Sequence, residues 1–568
     1  MKDEILKNHL KLFSEKFGYS DLNESQQFEH FVNFNIISKL YPREIDIDSL
    51  SSGGSNDLGI DGVAIIINGN IVTNSDEIDH FRRMGSLDVE FILIQSKTSS
   101  KFSGEQIGTF IFGVKNLFDD KSSVIENAFM KNIRDLKDNI YSNTLDFDVN
   151  PELKLYFVTT GEWKEPEQIT GRVNRELKDI YDKGIFRSIP KIEFYDAEKL
   201  KNSYKEISRK TIKEIKFNNH VALPDLPEKL NVRQSLIGSV SIKDYIKLIS
   251  DEDDRLFKGL FYDNVRDYQG LNKVNKEINE TLNDNSKKYL MPLLNNGITV
   301  IAKKVDKVGQ KLKLTDFQIV NGCQSSHVLF DRKNDIDEDL HIIVKIIETN
   351  DQDVINSIII ATNKQTEVKD EAFESIKPFH RELDEYFKAK TDLVNDPIYY
   401  ERRSKEYFND PNVKNHQIVT LAYLVKSYVA TVLAQPQSTH RYFGELIESN
   451  EKSIFKNNKN ISDYYISALL CKKIDSLFRL GLLYESYKNY KYHLIYIIYS
   501  KFSIENKNND EIIFILNEQD KLFWYAINAC KIIAWTSKNN NMMNSMHNVR
   551  SKDFTLKLKD SLSSFVFK

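Results

Sequence analysis

The sequence predicts a multi-domain α/β protein: an N-terminal α/β domain with a small sheet, a middle α/β domain and a mainly helical C-terminal region. Three observations predict it. The 568 residues exceed what one hydrophobic core organises, so roughly two to four domains are expected. Apolar runs bounded by Gly, Asn and Asp alternate with stretches of helical period up to about Phe408. From about Pro411 onward the pattern is helical and aromatic-rich, broken by "NNKN" and "NKNND" loops. Hydrophobic residues at 40% and charged residues at 29% exclude a disordered chain. A formal net charge of −4 excludes a global basic field, so nucleic-acid contacts would have to come from local patches. Cys323, Cys471 and Cys530 are too few and too scattered for a disulfide framework or a Cys-based zinc site, which fits a reducing cytoplasm. "MKDEILKNHLKLF" lacks the apolar core of a signal peptide, and "YHLIYIIYSKF" is far shorter than a membrane span. A cytoplasmic chain without membrane contact is the expectation.

The elements follow in order. Residues 1 to about 50 read as helical, with Phe28, Phe31, Val32, Phe34, Asn35, Ile36 and Leu40 forming a broad, mostly apolar stripe. "DSLSSGGSNDLGIDG" is loop, Val63 to Ile67 a strand, Asn68 to Asn70 a turn, and "VEFILIQSK" the next strand. Gly104 to Phe118 is a helix; "LKLYFVTTGEW" and "KIEFYD" are two further buried strands with a helical stretch between them. These make a first domain, residues 1–217. Pro224 and Pro227 mark a linker, 218–232. The middle domain, 233–410, has strand candidates "GITVIAKKV", "KLTDFQIV" and "LHIIVKIIET"; residues 411–568 are the helical region.

Gln95 and Lys97 stand two apart in a strand and so share a face. Asp61 opens the preceding strand. If the strands pair, the Asp61 carboxylate and the Gln95 carbonyl converge on one hard cation, Mg²⁺ or Mn²⁺, that keeps several waters. Lys97 then offsets charge on a phosphate or orients the attacking water. Glu29 and Asp57 can reach the same place. Taken singly, these residues are ordinary turn chemistry and a solvated lysine; their order and spacing carry the argument. "GGSNDLGIDG", strand, "QSK", helix resembles the PD-(D/E)xK nuclease superfamily, in its Mrr-like restriction endonuclease branch, over roughly residues 20 to 200. The resemblance implies a restriction-endonuclease-like sandwich in which Asp61 binds metal, Gln95 stands at the variable acid position and Lys97 is the signature lysine. Gln95 in place of Asp or Glu removes one negative charge from the metal site. "KLKNSYKEISRKTIKEIK", from Lys199 to Lys216, could track phosphates if helical.

A second constellation lies in the middle domain. Asn296-Gly297 and Asn321-Gly322 are turns, and Gln324 and Ser325 open a helix whose unpaired N–H groups could cradle a phosphate or nucleotide. His327 reads as a core histidine. "NNGIT", "IVNGCQSSHVLF", "ATNKQTEV" and "YYERRSKEYF", with "NVRDYQGLNKVNKEINETL" upstream, resemble the abortive infection phage resistance (AIPR) family over roughly Val232 to Ala434. More distantly the middle domain is similar to ParB-like domains. The two resemblances imply an Mg²⁺-dependent DNA endonuclease of anti-phage defence, controlled by its AIPR region and a phage-derived trigger. A homodimer is expected, since many nucleases cut two strands with two sites. No P-loop appears. Two alternatives stay open: a catalytically silent nucleic-acid-binding protein, and a nucleotide-responsive switch. DNA and RNA are not distinguished.

Overall fold

The computed structural model describes residues 3–564 apart from 42–44, 143, 209–210, 218, 252–253, 262–272, 309–310, 364–377, 403–405, 408–409, 411, 456–459 and 541–544. Parts of three family-like segments therefore lie outside the described residues: 264–272, 364–368, and 403–405 with 408. The chain forms two compact units, Met1–Glu15 with Tyr19–Ala372, and Lys16–Gly18 with Phe373–Lys568.

The first unit begins with helices α1 (Glu4–Phe17), α2 (Glu24–Leu40) and α3 (Ile47–Leu50). α2 starts at Asn23, whose side chain accepts from the Gln26 N–H while Gln26 reaches back, a reciprocal cap. β1 (Gly62–Ile67) and β2 (Asn70–Val72) form a hairpin around Asn68 and Gly69, both at positive φ as a tight two-residue turn requires. Then come α4 (Ser75–Met84), β3 (Val89–Lys97), α5 (Gly104–Leu117), α6 (Ala128–Tyr141), β4 (Glu152–Thr159), α7 (Glu167–Tyr181), β5 (Lys191–Tyr195) and α8 (Ala197–Ser208). The sheet order is β2-β1-β3-β4-β5, with β1 antiparallel to β3, and β3, β4 and β5 mutually parallel. Its central strands are buried on both faces, as their continuous apolar runs demand. Val63, Ile65, Phe91, Leu93, Leu155 and Phe157 pack with α4 to α7, and α2 lies on the other face.

A second sheet follows within the same unit. Its strands are β6 (Ile212–Lys216), β7 (Asn219–Ala222), β8 (Val232–Ser241), β9 (Ile298–Val308), β10 (Lys311–Asn321) and β11 (His341–Thr349). The helices beside it are α9 (Ile242–Ile249), α10 (Lys273–Asn283), α11 (Met291–Leu294), α12 (Cys323–Asp331) and α13 (Gln352–Asn363). The order is β6-β10-β9-β11-β8-β7. β6 and β7, neighbours in sequence, thus occupy opposite margins. Only Phe217 and residue 218 separate them, a link of at most about 10 Å. The margins of a flat sheet of this width would stand about 24 Å apart. The sheet therefore curls strongly, with Ile215 and Phe217 buried in its core.

This corrects two expectations. The expected boundary at 217/218 and the linker 218–232 do not hold as a spacer: β6 pairs with β10 and β7 with β8, because Ile215 and Phe217 bury in the second core. Only the stretch from Pro224 to Asn231 is exposed and outside the strands. Nor is "KLKNSYKEISRKTIKEIK" one helix free to track phosphates. It is α8 followed by β6, and Lys199 pairs with Glu193 while Lys201 pairs with Asp3.

The two sheets are joined by charge. Arg255 Nη2 lies 2.6 Å from Glu193 Oε2. Glu90 on β3 is held by Lys154 at 2.6 Å and by Lys258, just after α9, at 3.6 Å.

The second unit is helical: α14 (Pro378–Ala389), the short pair β12 (Tyr399–Tyr400) and β13 (Ile418–Val419), then α15 (Leu421–Thr431), α16 (Phe443–Ser449), α17 (Ile461–Arg479), α18 (Lys491–Ile504), α19 (Asn509–Asn517), α20 (Gln519–Asn539), α21 (Ser545–Arg550) and α22 (Lys552–Ser564). Its apolar core begins at Phe379, so the change of unit falls near 372 rather than at the expected 410/411.

Candidate functional site

The loop before β1 is built to deliver one carboxylate. Gly53 and Gly54 have positive φ, and the Asp57 side chain accepts from the Gly59 N–H at 2.8 Å, closing a turn. The turn lies tightly on α5: a Cβ at Gly113 would meet the Leu58 carbonyl oxygen at 1.9 Å. The Asp61 N–H then bonds the Ile94 carbonyl at 2.8 Å, and Gly62 pairs with Ile94, so Asp61 stands opposite Gln95. Gly62 is required here, because a Cβ would meet Asn33 Oδ1 of α2 at 2.2 Å. Asn33 is fully buried and donates to Ser51 Oγ at 3.0 Å and to the Asp61 carbonyl at 3.4 Å.

Asp61 is 7% exposed. Its Oδ2 accepts from Gln95 Nε2 (2.5 Å), the Ser96 N–H (2.7 Å) and Ser96 Oγ (3.0 Å), with Lys97 Nζ at 3.9 Å. All these contacts fall on Oδ2, and among the described residues Oδ1 accepts none. Burial pushes the Asp61 carboxyl up, against the pull of Lys97 and Ser96. Glu29, on α2, is pushed up to about 8, first by burial and then by the charge of Asp61 and Asp57; the Gly53 N–H and Lys97 act the other way. Its Oε1 is buried with no hydrogen-bond partner. Two acids therefore share a small volume with one lysine and too few donors, a situation that a cation relieves.

The residues fit a hard divalent ion in part. Among the described residues, Asp61 Oδ1 and Glu29 Oε1 accept no hydrogen bond. Gln95 is 1% exposed, and its Oε1 lies 3.3 Å from where a Gly59 Cβ would stand; turning its amide over would exchange Nε2 for Oε1 beside Asp61. Among the described residues no group of three His, Cys, Asp or Glu is arranged to hold a metal. A set of two carboxylates and one amide suits Mg²⁺, which keeps waters, better than Zn²⁺.

The structure thus brings Asp61, Gln95 and Lys97 together and places Glu29 and Asp57 within electrostatic reach. Two residues escaped the sequence reading. Ser96 was hidden between Gln95 and Lys97. Asn33 was marked only by being an amide inside an apolar stripe.

The middle-domain turns also meet. Asn295 Nδ2 donates to Ser325 Oγ at 2.9 Å, and a Cβ at Gly322 would lie 2.5 Å from Ile298 Cδ1. Gly297 and Gly322 both have positive φ. Asn296 is exposed, Asn321 is partly exposed, and Gln324 and Ser325 are buried at the start of α12. Burial, then the charge of Lys258, lowers the His327 imidazole to about 3, so it is neutral, although the residue is only partly buried.

A family model described as AIPR protein matches residues 261–547, just over half of the chain. No curated protein and no solved structure matches it. Among the described residues, no helix is long and apolar enough to cross a membrane.

Proposed function

The chain belongs to the AIPR protein family, and from that premise we propose that it is a metal-dependent nuclease of anti-phage defence. The reading rests on one observation: Asp61, buried, and Glu29, half-buried with its Oε1 buried and lacking a hydrogen-bond partner among the described residues, lie beside Lys97 at the end of β3. Asp61 and Gln95 would hold Mg²⁺ or Mn²⁺, with Glu29 completing the acidic set. The bound ion would supply an acidified water and charge for the phosphate oxygens. Lys97 meets the charge that grows on the phosphate as water adds to phosphorus and the ester oxygen leaves. Asn33 and Ser96 are positioning residues that fix Asp61 from behind. The AIPR region would restrain this site until a phage-derived trigger arrives, and two copies would pair to cut two strands.

Purified full-length protein incubated with plasmid DNA, with and without Mg²⁺, tests the reading, with RNA as a parallel substrate. Metal-dependent cleavage that Asp61→Ala abolishes supports it. Cleavage that survives Asp61→Ala and Lys97→Ala overturns it. One observation favours a second reading, a silent nucleic-acid-binding protein: Gln95 gives Asp61 its N–H rather than leaving its oxygen for a cation. Binding of DNA without cleavage in any metal would select that reading. The nucleotide-responsive reading rests on the paired Gly turns, and thermal shift with a nucleotide panel tests it.

A further inference from the structure

The outer face of α20 carries a stripe that the proposed chemistry does not use. Lys521, Trp524, Lys531, Trp535 and Lys538 follow one another at spacings of three, four or seven residues, so they line one side of the helix. The opposite side, with Leu522, Tyr525, Ala526, Ala529, Ile532 and Ile533, is buried in the helical core. Trp524 is 39% and Trp535 46% exposed, and the three lysines are exposed. Lys521 lies over the ring of Phe514, itself 55% exposed, at 4.1 Å. Lys531 and Lys538 make no ion pair among the described residues. From Lys521 to Asn539 the helix has no Asp or Glu.

We infer that this face binds single-stranded nucleic acid, with Trp524 and Trp535 stacking on bases and Lys521, Lys531 and Lys538 meeting phosphates. The two rings stand about 16 Å apart along the helix, close to five nucleotide steps at the ~3.4 Å rise of a stacked strand. Planar rings alternating with fixed positive charge complement a strand that offers π-faces and negative charge in turn. A second copy is disfavoured, because self-pairing would bring lysine against lysine. An anionic lipid surface would want a wide apolar face, whereas this one is interrupted by the exposed Lys531 between its two tryptophans. The inference does not require the nuclease reading.

The test uses the full chain in EDTA, so that no cleavage is needed. The third tryptophan, Trp163, stacks on Phe194 at 3.9 Å in the other unit. Trp163 does not lie on α20, so a change in emission on adding oligonucleotide is read from Trp524 and Trp535 over its constant background. An oligothymidylate of about 20 nucleotides should quench the emission saturably, and more weakly as salt rises. Read by the anisotropy of a fluorescein-labelled oligothymidylate, which needs no tryptophan in the protein, Trp524→Ala with Trp535→Ala should raise Kd at least about tenfold, while Trp→Phe at both positions retains a ring and keeps binding. Lys531→Ala with Lys538→Ala should flatten the slope of log K against log salt by about 1.4. Absence of quenching in the native protein would overturn the inference, as would binding indifferent to both alanine pairs. A blue shift with anionic vesicles but no response to oligonucleotide, or emission that tracks only protein concentration, would assign the face to a lipid surface or a second copy and overturn it equally. Failure of plasmid cleavage leaves this result standing.

Discussion

Asp61 accepts every contact on one carboxylate oxygen, and that asymmetry separates the effects of neighbouring substitutions. Asp61→Ala should abolish both Mg²⁺ binding and cleavage, read by calorimetry and by a plasmid assay. Lys97→Ala should keep the metal and lose about a hundredfold to a thousandfold in rate. Gln95→Glu would set a third acid beside Asp61 and Glu29, so the variant should melt lower than the native protein in EDTA and recover in Mg²⁺. Glu29 gives a pH signature of its own. Its carboxyl is raised from 4.5 to about 8, so between those values the folded state holds a proton that the unfolded state has released. Its contribution is fully present below about pH 4.5, and falls by about 1.4 kcal/mol per pH unit until about pH 8. Glu29→Gln should remove that slope, as urea midpoints across the range would show. A substitution at Gly322 is a poor probe of the middle-domain turns: a Val there meets both positive φ and Ile298, so a lost nucleotide response would report misfolding. Asp61, Gln95 and Lys97 were legible because strand alternation fixes which residues share a face. Glu29's protonation, the Ser96 donors and Asn33 were not, because each depends on what the fold packs around a residue far away in sequence.

At the scale of elements, β1, β3, β4, β9, β10 and β11 announce themselves as apolar runs, and α5 by its period. β6 did not. "IKEIK" alternates as a strand should, but sits in a lysine-rich stretch that reads equally as a helix face, and its partner β10 lies about a hundred residues away. The consequence is measurable. Trypsin should cut after the exposed Lys229, yet the two pieces should elute together on native size exclusion, because β6 and β7 on one side of the nick pair with β10 and β8 on the other. Pieces that separate without denaturant would contradict the pairing. A fragment ending at 217 would expose Ile215 and Phe217 on an unpaired strand, and should aggregate more readily than one ending at 208.

At the scale of the molecule, the sequence showed that there would be several cores but not how they join. The joint is electrostatic and hard to foresee, because Glu90 and Lys258 are distant in sequence and unremarkable in type. Burial alone would raise the Glu90 carboxyl; Lys258, then Lys154 and Arg187, hold it down at about 2. This stabilisation is present above about pH 4.5 and is lost as pH falls toward about 2, the opposite sign to Glu29. Glu90→Gln should therefore blunt acid unfolding of the first unit, followed by near-ultraviolet circular dichroism from pH 5 to about 2. The curled sheet has a further consequence. Because its first and last strands are consecutive in the chain, releasing either margin slackens the covalent tether on the other. The amides of Ile212–Lys216 and Asn219–Ala222 should exchange with deuterium as one cooperative event, at a common rate, although they bond to different partners at opposite margins of the sheet.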